Sequence, residues 1–147
     1  MEFNKLETKT GAKKGAFLHL RHPGEGHLLY TGELADEWGS LVDDAKADDA
    51  QKVGVYVLGY ESDKVRRKAR AMRRERMKSQ TMTDEQTDER GMAFVCSLVI
   101  GFEGIETDGK PLEASDGNKR EFFSQSEGLI DQVLAFAKDR SNFFKRS

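Results

Sequence analysis

The sequence predicts an α+β protein, with a small N-terminal antiparallel β-sheet followed by a bundle of three to four helices. Three observations carry this. Two apolar runs, Phe17–Leu20 and Val53–Leu58, have the two-residue period of strands and lie between Gly- and Pro-containing segments. Helix-opening residues at Ser62, Thr83, Ser115 and Ser126 each precede a helical pattern. The 147 residues suit one domain, and the longest apolar run, Met92–Ile100, is half of the ~18 residues a membrane span needs.

The elements follow in order. Met1–Gly15 is polar and Lys/Thr-rich; it is expected to be partly disordered and to add little to the core. Ala16–Arg21 is a strand, with Leu18 and Leu20 on one face and Phe17, His19 and Arg21 on the other. Pro23, Gly24 and Gly26 supply a turn, and Leu28–Tyr30 a return strand. Gly32–Gln51 is an acidic loop whose one large anchor is Trp38. Lys52–Tyr60 is the clearest strand, apolar on both faces, which places it centrally. The β-rich half is thus 16–62 and the helical half 63–147.

The first long helix spans Asp63–Lys78, with a thin apolar stripe of Val65, Ala69 and Met72. Thr83 and Gln86 form a capping box that opens a second helix, expected over Asp84–Ile100 with a break at Ser79–Thr83 before it. Ala93–Ile100 also fits a core strand; periodicity does not separate the two, and the helix is the expectation. Asp108–Gly109–Lys110–Pro111 is a tight turn. Ser115 caps a short helix through Phe123, and Ser126 caps a last helix over Glu127–Arg140. The expected core is Leu18, Leu20, Val55, Val57, Phe94, Val95, Leu98, Val99, Leu129, Val133 and Phe136.

Charge is unevenly spread. Lys64–Lys78 holds nine basic residues against Glu75, a net +8 in a chain whose total is −2. Glu33–Asp49 holds seven acids against Lys46, and Asp84–Glu89 holds four acids. Such separated blocks point to internal or partner electrostatics and not to a uniformly basic nucleic-acid binder. The basic helix is either a solvated face balanced by Asp84, Glu85, Asp88 and Glu89, or a contact for an acidic protein. Nucleic acid is the weakest reading, because no aromatics interleave the basic residues. A partner contact would run through Arg66, Arg70 and Arg73 on the helix and through Phe143 and Phe144 in the tail, a two-Phe end that otherwise packs back, the commoner outcome.

No catalytic, cofactor or metal constellation is present. His19, His22 and His27 lie on one hairpin with Glu25 as the only nearby acid and no cysteine, and His19 and His22 point to different faces, so they read as surface histidines. Cys96, the single cysteine, sits in the most apolar segment and reads as packing. No phosphate-cradling or nucleophile-elbow motif occurs. The expectation is a non-enzymatic protein without a membrane span or signal peptide.

An ordered set of motifs adds to this. Phe17–Leu20 runs into His22–Pro23, then Gly32–Glu33–Leu34, then the Val-rich strand ending Leu58–Gly59–Tyr60–Glu61–Ser62–Asp63. The basic helix follows. Gly101–Phe102–Glu103–Gly104–Ile105, Asp108–Gly109–Lys110–Pro111–Leu112, Ile130–Asp131–Gln132–Val133 and Asp139–Arg140–Ser141–Asn142–Phe143 complete the set. Over Ala16–Phe144 this resembles small tail assembly chaperones of long-tailed bacteriophages. The resemblance implies a protein without cofactors, working in the cytoplasm of the infected bacterial host. Its implied partners are the tape-measure protein and tail tube subunits, with a homo-oligomer left open. The alternatives are a structural virion component, such as a neck or tail-completion protein, and a nucleic-acid-binding regulator.

Overall fold

Val55 and Val57 organise the molecule: both are fully buried, on the middle strand of a three-stranded antiparallel sheet. The structure is a computed structural model that describes residues 1–78 and 81–144. Strand β1 (Ala16–His19) pairs with β4 (Gly54–Val57), placing Leu18 beside Val55 and Phe17 beside Tyr56. On the other side β4 pairs with β5 (Val99–Glu103), placing Val55 beside Phe102 and Val57 beside Val99. The short pair β2 (Tyr30–Thr31) and β3 (Gln51–Lys52) forms a separate two-stranded sheet, as does the hairpin β6 (Glu106–Thr107) and β7 (Lys110–Pro111). In that last turn Asp108 and Gly109 both take positive φ, 52° and 76°, the geometry a tight two-residue hairpin demands.

The helices are α1 (Lys9–Lys14), α2 (Asp63–Lys78), α3 (Asp84–Leu98), α4 (Asp116–Phe123) and α5 (Glu127–Lys138). The α+β class therefore holds. The capping box at Thr83 and Gln86 is formed, with both bonds 3.1 Å. Ser115 accepts from Asn118 N and Ser126 from Gly128 N at the starts of α4 and α5. One core joins the inner sheet face (Leu20, Val55, Val57, Val99) to Val95, Cys96 and Leu98 of α3, Phe123 of α4, and Leu129, Val133 and Ala137 of α5.

The structure corrects several expectations. The second helix stops at Leu98; Val99 and Ile100 belong to β5. β-Branched Val99 and Ile100 followed by Gly101 favour extended backbone, and Val99 completes the sheet against Val57. The third strand of the main sheet is thus β5, not Leu28–Tyr30, and α2 and α3 form an excursion between two neighbouring strands. The last helix ends at Lys138, short of Arg140. Leu18, Phe94 and Phe136 pack against the core while half-buried, whereas Phe123, Val65 and Leu58 are fully or nearly fully buried. The N-terminal segment also contributes: Ala12 is buried, and the carbonyl oxygen of Ala12 accepts from Gly59 N at 3.0 Å. Part of the expected Ser79–Thr83 break lies outside the described residues.

Candidate protein-interaction site

Helix α2 starts where the backbone NH of Arg66 donates to the carbonyl of buried Ser62, and Asp63 sits at its positive end. Val65 is its single buried residue. Ala69, Ala71 and Met72 are half-buried, and every Arg and Lys of the helix is exposed. Sixteen residues at 1.5 Å each give a ~24 Å rod held to the core at its first turn. Helical geometry of 100° per residue places Arg66, Arg67, Arg70 and Arg74 on the outer arc, while Arg73 and Arg76 flank the side facing α3.

The acids of α3 do not neutralise this face. Glu89 binds Arg120 of α4 at 2.6 Å, and Asp116 holds the same guanidinium at 2.9 Å; together these carboxylates raise its pKa. Asp84 and Glu85 occupy the first turn of α3, where they complement its N-terminal dipole. One ion pair crosses between α2 and α3, Glu75 with Arg90 at 3.6 Å. Among the described residues none of the nine basic side chains from Lys64 to Lys78 has a carboxylate within salt-bridge distance. Of the two sequence readings, the balance by α3 is therefore not made through ion pairs to these basic residues among the described residues.

Between α2 and α3 lies a feature that no sequence pattern announces. An open groove of ≈ 310 Å³ is lined by Ala69, Met72, Met82, Gly91 and Phe94, with Arg73, Arg76, Thr87 and Arg90 at its rim. Arg90 Nη1 donates to Met82 Sδ at 2.7 Å and so spans one end of it. Phe94 reads as core and Met72 as part of a thin apolar stripe in sequence, because a helical stripe does not reveal whether its facing surface is filled.

The tail residues part company. Phe143 is buried, edge-on to Phe136 with ring centres 5.5 Å apart, and its carbonyl lies against Gly11. It therefore closes the core instead of presenting an anchor, which corrects its assignment to partner contact. Phe144 is 41% exposed.

No family model matches the chain, and no curated protein or solved structure matches it either.

The remaining candidates are structural in their surroundings. His19 Nε2 donates to Leu29 O at 2.7 Å; burial, aided by nearby Lys52 and Arg21, outweighs that bond and lowers the imidazole pKa. His22 Nδ1 accepts from Gly24 N and Glu25 N, and its ring stacks on that of His27 at 5.3 Å. Among the described residues no group of three His, Cys, Asp or Glu converges on one point. Cys96 is buried, which raises its thiol pKa and disfavours the thiolate a nucleophile requires. Trp38, expected to anchor the acidic loop, is 62% exposed. Among the described residues no helix is long and apolar enough to cross a membrane.

Proposed function

We infer that this protein is a non-enzymatic assembly chaperone of bacteriophage tails, holding the tape-measure protein, tail tube subunits or both in the host cytoplasm before they assemble. The observation that carries the binding role is α2: nine basic side chains without a carboxylate partner among the described residues, on a helix with one buried residue. Arg guanidinium groups at Arg66, Arg70 and Arg73 suit bidentate contacts to carboxylates on a helix-rich partner. The tail-assembly part of the reading rests on the ordered motifs between Ala16 and Phe144. A tape measure is a long helical chain that must stay soluble, and a charged helix with a few apolar anchors suits that task.

Co-purification with the tape-measure protein of the same phage tests the reading. A chaperone retains that protein in solution and is absent from, or substoichiometric in, purified virions by mass spectrometry. A stoichiometric presence in virions indicates a structural component, and failure to bind tape-measure and tube proteins alike contradicts the proposal.

A further inference from the structure

The acidic segment Glu33–Asp49 forms the second unmatched surface of the molecule. Its seven acids face one Lys, and among the described residues none of them is in a salt bridge. In its midst a built turn displays the only tryptophan of the chain. Asp36 Oδ1 accepts from Trp38 N and Ser40 N, both at 2.9 Å. The Trp38 carbonyl lies 3.1 Å from His27 Nε2, and Tyr30 N donates to Gly39 O at 2.9 Å. Gly39 takes φ +81°, and a Cβ there would meet Leu29 Cδ2 at 2.7 Å, so the turn is seated closely on the strand side of the molecule. The indole itself projects into solvent, as does nearby Val42 at 66% exposure. A rigidly mounted, exposed Trp has the character of an interface anchor, because it buries a large area with few rotatable bonds.

The groove between α2 and α3 has the complementary character. Met72, Met82 and Phe94 give it a soft apolar floor that adapts to an inserted ring, and Arg73, Arg76 and Arg90 can stack on or flank an aromatic. Around it lies the +8 block, against the net −6 of the acidic segment. Hydrogen bonds tie the Trp38 turn to Tyr30 and His27 of its own chain and so hold it as a fixed surface feature. We propose that Trp38 and the acidic segment of one copy dock into the α2–α3 groove of a second copy, a self-association held by an indole in the Met-lined groove and by the two opposed charge blocks. The contact uses different patches on the two copies, so repeated use builds rings or open chains unless a two-fold closes it. A total charge near zero does nothing to oppose it. This inference does not depend on any phage partner, so the purified protein alone tests it.

The test is sedimentation of the purified chain at about 50 mM and about 500 mM salt, with tryptophan emission recorded alongside. Wild type should form species larger than 16.6 kDa whose population rises with concentration, with blue-shifted Trp38 emission, and should return toward monomer at high salt. Trp38→Ala should be monomeric. So should Gly91→Phe, which fills the groove at a position where an added Cβ meets nothing within 4 Å. Met82→Glu, outside both helices, is a second way to disable the groove. Mixed one to one, Trp38→Ala (groove intact) and Gly91→Phe (Trp intact) should pair into a species of twice 16.6 kDa. A monomeric wild type at low salt overturns the proposal. So does self-association that survives the groove substitutions, because Trp38 would then be docking elsewhere.

Discussion

Leu98 is the last residue of α3 and fully buried, between the sheet and the helices that cover it. Truncating it leaves a cavity where strand and helix layers meet. Leu98→Ala should therefore destabilise by roughly 2–5 kcal/mol in denaturant titration. A loss below about 1 kcal/mol would mean the site collapses freely. His19 gives a pH dependence of known sign. Burial lowers its folded pKa below the ordinary value of 6.5, so the unfolded chain binds the proton more readily. This contribution to stability is present above about pH 6.5 and is lost as pH falls through 6.5 toward the lower folded value. His19→Gln should remove that part of the pH slope while keeping a donor for Leu29 O; an unchanged slope would exclude His19 as its source. Single residues are legible in sequence wherever their neighbours are local. Cys96 in an apolar run is buried, as its surroundings predict. Trp38 departs from expectation by being exposed, and Phe143 takes the packed-back of its two readings; sequence does not decide either, because Trp38 and the Gly11 contact of Phe143 depend on how distant segments meet.

Among the elements, α3 and β5 share one apolar run, and periodicity fails at their junction. Residues 92–98 and Val99 continue one apolar, mostly covered run, so no change of pattern marks the boundary before exposed Ile100; β-branching at Val99 and Ile100 is the one local sign. The helix starts were legible, since the caps at Thr83, Ser115 and Ser126 act within a single turn. Two glycines test the element assignments in opposite directions. Gly91 lies inside α3, where an added Cβ has nothing within 4 Å, so Gly91→Ala should stabilise by about 0.5–1 kcal/mol through helix propensity. Gly54 is the first residue of β4, where a Cβ would stand 2.1 Å from Leu18 O and 2.6 Å from the Phe17 ring. Gly54→Ala should destabilise and disturb the pairing of β1 with β4. Thermal melts of the two variants moving in the same direction would contradict the placement of one of them.

Across the molecule as a whole, the deciding property is separation of charge without internal neutralisation. The charge blocks are evident in the sequence. That Glu89 of α3 pairs with Arg120, and not with α2, is not evident, because the partner lies 31 residues away on another helix. The proposed function stands or falls on the arginine face of α2 as a protein-binding surface. It is tested by measuring the affinity of the tape-measure protein for wild type and for a variant with Arg66, Arg70 and Arg73 all changed to Glu, across a salt series. The variant should remain folded, since exposed charges contribute only ~0–1 kcal/mol each to stability. Its binding should be weaker and its association slower at low salt, and the gap should narrow as salt rises and the Debye length falls below ~8 Å. Equal affinity of the folded variant and wild type at low salt would contradict this role and leave α2 a merely solvated helix.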